Sequence, residues 1–234
     1  MLLARRAAAA LLPLILTPPA TRPAIADDGP ATAIFSAGDP RYLQPAFDDI
    51  KYLGITDTQC GRLVDAASGE TVLQAVKVEY KASKLSYKRV LGAFWRGVDP
   101  TTSAEAGQFG SPGPTVIWVS TPEERAAAEG SRKRLDLSGL YKGEPIATEV
   151  RDARSLRFDA DAELTGWYKR EEKAYASGLK KSGRTAWFED RYKPVKTTAC
   201  EIVNEAEFKG NVCGFVYFPC TDENGCRAVL QGTW

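Results

Sequence analysis

Five cysteines and no histidine decide which chemistry this 234-residue chain leaves open. Without imidazole there is no Ser-His-Asp or Cys-His set, and zinc or haem sites lose their usual ligand. Thiol chemistry stays open, because a cysteine needs only a lowered pKa and access to become a nucleophile. The cysteines are Cys60, Cys200, Cys213, Cys220 and Cys226, with four in the last 35 residues. In an exported protein those four read as two disulfides, in any of three pairings, with Cys60 left over. A second polar group stands in the run A-G-D-P-R-Y, where Asp39 and Arg41 flank Pro40. Asp39 and Arg41 can hold a polar ligand, or they can close on each other as an ion pair at a helix start, which is the commoner arrangement and worth little. No cofactor is expected.

The elements that must position these residues alternate between strand and helix. Ala31–Ala37 reads as a short strand containing Ile34 and Phe35, and Leu43–Tyr52 as a helix with Phe47 and Ile50 inward. A short strand is expected near Leu53–Thr58. Val72–Tyr80 alternates, with Val76, Val78 and Tyr80 on one face and Lys77 and Glu79 on the other, the pattern of a strand covered on one side. Ser86 is placed to N-cap a helix carrying Tyr87, Val90, Leu91, Phe94 and Trp95. T-V-I-W-V-S at 115–120 is a further strand. Thr121-Pro122-Glu123-Glu124 is a helix start, with a capping threonine, proline in the first turn and glutamate at the third position. Ile146–Val150 is expected as a strand and Ala160–Lys180 as a helix with Leu164, Trp167, Tyr168 and Tyr175 on one face, weakened by Gly166 and Gly178. The order β-α-β-β-α-β predicts an α+β, ferredoxin-like two-layer sandwich, one sheet with helices on one face.

The ends differ in character from this core. Arg5 and Arg6, an apolar run from Ala7 to Leu16 and Ala24-Ile25-Ala26 read as a targeting peptide over residues 1–26, and the apolar run is too short to span a bilayer. Cleavage before Asp27 leaves 28 basic and 30 acidic side chains, a balance that points away from nucleic acid. The expected destination is across a membrane: secreted, periplasm-like or a thylakoid lumen, since the paired arginines loosely match a twin-arginine or plastid lumenal signal. No membrane span is expected in the mature chain. Residues 27–181 form the expected main domain and 182–234 a Cys-rich extension. Residues 169–196 hold nine basic and four acidic side chains, which reads as a solvated helix and linker. The tail adds Phe208, Phe215, Tyr217, Phe218 and Trp234, either an interface or a layer packed back on the core.

Several segments carry a family resemblance. The run A-I-F-S-A-G-D-P-R-Y-L-Q-P-A-F-D-D-I at 33–50 resembles the active-site segment of the peptide-methionine (S)-S-oxide reductases, the A-type methionine sulfoxide reductases, whose hallmark there is G-C-F-W. Asp99-Pro100-Thr101-Thr102 is similar to that family's D-P-T-T. It is followed by Gly107, by T-V-I-W-V-S-T-P-E-E-R-A-A-A-E and by Pro145-Ile146-Ala147-Thr148-Glu149-Val150, all in the family's order. The resemblance covers roughly residues 31–168 and implies the same α+β core. It also implies thiol chemistry: a cysteine thiolate attacks the sulfoxide sulfur, a glutamic acid protonates the oxygen, tyrosine hydroxyls bind that oxygen and a Phe-Trp pair holds the methyl group.

In this chain each of those parts is substituted. Asp39 stands at the cysteine, Pro40 and Arg41 at the Phe-Trp pair, and Gln74 at the glutamate. Cys60 and Pro114 stand at the two tyrosines, and Phe109 roughly at a buried acid. A carboxylate is a poor nucleophile toward sulfur and an amide does not donate an acid proton. The expectation is an exported reductase-like protein that has lost catalysis and acts as a binding or structural subunit of a protein complex. Two alternatives stay open. One is an active reductase in which Cys60 is a relocated nucleophile, against the plainer reading of Cys60 as a buried thiol. The other is a lumenal accessory subunit of a membrane complex, with photosynthetic complexes as one setting.

Overall fold

The computed structural model describes residues 29–141 and 143–192. The targeting segment, the tail aromatics and Cys200, Cys213, Cys220 and Cys226 lie outside the described residues, so the disulfide expectation does too. No helix among the described residues is long and apolar enough to cross a membrane.

Alternation builds the sheet. In β1 (Pro30–Ala37), Ala33, Phe35 and Ala37 are buried on one face, while Ile34 and Ser36 point to the other. Helix α1 (Pro40–Asp48) follows at once. It is capped by Asp39, whose Oδ1 accepts from the Arg41 N–H at 3.0 Å, with Pro40 in the first turn. The apolar spacing placed this helix at Leu43–Tyr52. It starts three residues earlier, because the cap and the proline set the boundary, and a 3₁₀ turn (Lys51–Leu53) takes its expected last turn. β2 (Ile55–Asp65) and β3 (Thr71–Lys81) form a long antiparallel pair. Helix α2 (Tyr87–Gly97) has Ser86 at its N-cap, though the serine side chain makes no capping bond. β4 (Thr115–Val119) is buried on both faces, and α3 (Pro122–Leu137) opens on the expected capping box between Thr121 and Glu124.

The strand order is β5-β4-β1-β3-β2-β6. Its central four, β4-β1-β3-β2, are the split β-α-β arrangement, all antiparallel neighbours. β5 (Glu149–Asp152) adds in parallel to β4, and β6 (Leu156–Ala160) adds antiparallel to β2. The strand expected at 146–150 is shifted, because the N–H groups of Ala147 and Thr148 donate to the Pro100 carbonyl at 2.8 and 3.2 Å instead of to a ladder. β6 has no counterpart in the sequence reading; it is a five-residue edge strand with Arg157 exposed and Asp159 half-buried.

Helices α1, α2 and α3 lie on the face that carries Phe35, Val76, Val78 and Ile117. Phe35 stacks between Phe47 of α1 (5.1 Å) and Phe94 of α2 (4.8 Å), and Trp95 Nε1–H donates to Ser131 of α3 at 3.1 Å. A smaller cluster of Leu63, Ala75, Val116, Trp118 and Ala153 occupies the other face, where Trp118 donates to Ser36 at 2.9 Å. The helix expected over Ala160–Lys180 is interrupted. It becomes α4 (Trp167–Arg170) and α5 (Glu172–Lys181), with α6 (Arg184–Arg191) after them. Gly166 stands in the left-handed region at φ 68°, a conformation that cannot lie inside a right-handed helix, and Glu171 at φ −116° and ψ 49° separates α4 from α5, while Gly183 at φ 75° precedes α6. The boundary read at 182 falls between α5 and α6, and α6 packs back over the core through Arg184 and Trp187.

Candidate functional site

The turn between β1 and α1 is set by Gly38 at φ 62°, packed so closely on Ser111 that a Cβ there would lie 2.7 Å from the serine Cβ. Asp39 follows, and its carboxylate is closed. Oδ1 accepts from Arg41 N and Nε at 3.0 Å each, and Oδ2 accepts from Nε at 3.0 Å and Nη2 at 2.5 Å. The hydrogen bond it donates to Asp39 raises the pKa of the Arg41 guanidinium, which also lies 4.5 Å over the Trp167 ring. Of the two arrangements the sequence allowed for this pair, the ion pair is the one formed.

A cavity of about 150 Å³ opens beside this pair. Ala37, Asp39 and Tyr42 line it from the β1–α1 side, Gln108, Phe109 and Ser111 from the loop before β4, and Gly178, Ser182 and Arg184 from the C-terminal helices. The C-terminal helices are seated by rings: Tyr42 stacks on Tyr175 of α5 at 5.5 Å and meets Trp167 edge-on at 6.2 Å. Phe109 holds a left-handed backbone at φ 51°, rare for an aromatic residue, and contacts Trp187 and Phe188 of α6.

Cys60 lies elsewhere, in the middle of β2 opposite Val76, and is fully buried. Its S–H donates to Gln44 Oε1 at 3.3 Å. Burial, reinforced by the negative charges of Asp39, Asp48 and Asp161, pushes its pKa up to about 12. The thiol is one end of a buried polar chain. Gln44 Nε2 donates to the Thr58 carbonyl and hydroxyl at 3.1 Å, Thr58 donates to Asp48 at 2.5 Å, and Asp48 also accepts from Tyr168 and Lys169. The Gly166 N–H donates to Gln44 Oε1 at 2.8 Å, tying the segment before α4 to α1.

The structure therefore brings some of the sequence-predicted positions together and separates others. Asp39 and Phe109 share the cavity. Gln74 lies at the same end of the sheet, two residues from Val76 which pairs with Phe35, but it is exposed and does not line the cavity. Pro114, half-buried just before β4, does not line it either. Pro40 is buried in the first turn of α1. Three residues that line the cavity or support it were not picked out from the sequence: Tyr42, Gln44 and Arg184. Arg184 looked like one of nine basic side chains in a solvated stretch, yet it is 6% exposed and donates to the Gly97 carbonyl. Among the described residues no three Cys, Asp or Glu side chains converge as metal ligands.

Comparisons with known proteins agree with this frame. The family model for peptide methionine sulfoxide reductase matches residues 63–195, a span that begins after Asp39, Arg41 and Cys60. The peptide methionine sulfoxide reductase MsrA of Limosilactobacillus reuteri is 30% identical over 176 residues, covering 69% of this chain and 95% of that protein. The MsrA of Leuconostoc mesenteroides is 32% identical over 153 residues, covering 60% of this chain and 86% of its own length. Among solved structures, reduced Mxr1 from Saccharomyces cerevisiae shares the fold, with a TM-score of 0.51 at 16% identity over 62% of this chain and 87% of that one. The chain belongs to the peptide methionine sulfoxide reductase family.

Proposed function

We propose that this family member does not reduce methionine sulfoxide by a thiol mechanism and acts as a binding or structural subunit. One observation carries the reading. The position at the start of α1 that resembles the family's nucleophile holds a carboxylate, and both its oxygens are engaged by Arg41. Reduction of a sulfoxide needs a soft thiolate at sulfur and an acid for the departing oxygen. Asp39 is a hard base already paired, and Gln74 is an exposed amide with no acid proton to give. The experiment is direct: recombinant residues 27–234, dithiothreitol and a methionine sulfoxide peptide, followed by mass spectrometry. No turnover above buffer is expected. Asp39→Cys alone is also expected to stay inactive, because Gln74, Pro40 and Arg41 leave acid and methyl pocket unsupplied.

A second reading is favoured by the relatives, which are named as reductases. In it Cys60 takes over the attack. Burial and a raised pKa weigh against that role, since the thiol is both protonated and enclosed at neutral pH. Turnover by the wild-type chain that vanishes in Cys60→Ser would establish it and overturn the first reading. Export is part of the proposal and rests on the Arg5-Arg6 start, the apolar run and Ala24-Ile25-Ala26. Residence in a lumen as an accessory subunit of a membrane complex is the narrower form, and co-purification from native membranes tests it.

A further inference from the structure

We infer that the cavity beside Asp39 is a binding site for a single carboxylate group, held by Arg184 with Tyr42 and Ser111. The inference concerns binding and stands whether or not the chain turns over sulfoxide.

It starts from a charge without a counter-charge. Arg184 is 6% exposed, and among the described residues no carboxylate lies within salt-bridge distance of it. One N–H of its Nη2 is used on the Gly97 carbonyl. The rings of Phe109 and Phe188 lie 4.8 and 5.4 Å from its centre, which stabilises the cation without accepting its N–H bonds in the guanidinium plane. A guanidinium has five donors, and those of Arg184 without a protein acceptor keep contact with solvent, since Tyr87 Oη is the one buried side-chain polar atom without a partner among the described residues. The side chain is also part of the cavity wall, so its remaining donors have a place to be met. Burial lowers its pKa to about 10, which still leaves it charged at neutral pH.

Two further donors line the same cavity from its other sides and have no hydrogen-bond partner among the described residues: the hydroxyls of Tyr42 and Ser111. The other polar lining groups are occupied. Gln108 is used by the backbone of Asp99 and by Thr115, and Ser182 donates to the Leu179 carbonyl. Asp39 is the negative group on the wall, and Arg41 neutralises it at 2.5 Å. The lining thus presents one uncompensated positive charge, which suits a monoanion; a second negative charge would face Asp39 with nothing to balance it. The guanidinium fork matches a planar carboxylate in two parallel bonds. A volume of about 150 Å³ is that of a cavity able to hold a ring the size of benzene. It admits a carboxylate and a few carbons, as in a small acid or the end of a peptide. Phe109 keeps its strained backbone while its ring lies against this arginine, the kind of local cost that accompanies sites.

The test uses the folded chain of residues 27–234 and isothermal titration with acetate, with methyl acetate and inorganic phosphate as controls at constant ionic strength. Saturable acetate binding is expected, with methyl acetate silent and phosphate weaker. Tyr42→Phe and Ser111→Ala should each weaken acetate by about tenfold, the loss of one hydrogen bond to a charged group. Arg184→Gln should abolish binding; if that variant does not fold, the two hydroxyl variants carry the test. N-acetyl-dialanine and its C-terminal amide separate the sources. A free-ended peptide that outbinds acetate while its amide is silent identifies a peptide terminus, and acetate binding at least as tightly identifies a small acid. Absence of saturable acetate binding, equal binding of methyl acetate, preference for phosphate, or affinity unchanged in both hydroxyl variants overturns the inference.

Discussion

Asp48 shows how single side chains hold the cleft side of this molecule together. Its side chain is 5% exposed, and burial alone would raise its pKa. Hydrogen bonds from Lys169, Thr58, Tyr168 and Lys51 more than offset that and hold it below the ordinary value of 3.8. A carboxyl with a folded-state pKa below its unfolded one contributes stability in full above about pH 4, and loses it as pH falls through the folded pKa. Asp48→Asn is therefore expected to cost about 2 kcal/mol at pH 7 by urea denaturation, with the gap to wild type narrowing below pH 4. A gap unchanged at pH 3 would assign the loss to packing. Cys60 behaves in the opposite sense. Its thiol is pushed up to about 12, so thiolate is scarce throughout the neutral range, and iodoacetamide should label it only on unfolding. Peptide mapping of native and denatured samples reads this, and fast native labelling would mean an open thiol. At this scale the sequence was informative where partners are neighbours in the chain: Asp39 and Arg41 read as an ion pair at a helix start, and that pair is formed. Arg184 was illegible because its partners are remote in the chain: it donates to the Gly97 carbonyl, 87 residues away, and lies against the Phe109 ring.

Among the elements, α5 is fitted to α1 with no spare room. A Cβ on Gly178 would collide with the Tyr42 hydroxyl. Glycine to alanine inside a helix ordinarily gains up to about 1 kcal/mol. Here the sign should reverse, with Gly178→Ala costing about 1–3 kcal/mol as α5 is pushed off Tyr42. Thermal melts check this, and Tyr42→Phe in the same chain should recover part of the loss by removing the colliding oxygen. A stabilised Gly178→Ala would show that α5 sits further from α1. Local chemistry made some elements readable: the capping box at Thr121 and Glu124 gave α3, and alternation gave β3. Others were settled by φ angles. The left-handed Gly166 and the non-helical Glu171 divide a stretch, 160–180, whose aromatic spacing suggested one continuous helix.

For the whole molecule, a six-stranded sheet and two apolar clusters are formed by the described residues alone. Truncation after about residue 198 should leave a cooperatively folded domain with a melting temperature within a few degrees of the full chain. Its loss of co-purifying proteins would place the partner surface in the tail, whereas a sharp fall in melting temperature would place the tail aromatics in the core. In protein from its native compartment, Cys200, Cys213, Cys220 and Cys226 should resist alkylation until reduced. The α+β class was legible because strand and helix periods alternate along the chain. How the last helices dock was not, because that depends on contacts spanning more than a hundred residues.

Gln44 makes such a contact, and its consequence lies in time. One amide joins Thr58, Cys60 and Gly166, which lie 14, 16 and 122 positions along the chain. Closing so long a loop has to precede any return from the bond, so the segment before α4 is expected to dock onto a sheet already assembled. Bonds formed after the folding barrier govern the exit from the native state and leave the entry alone. The Gly166 end of the clasp thus acts as an escapement: loosening that bond should quicken unfolding while the rate of refolding stays where the sheet sets it.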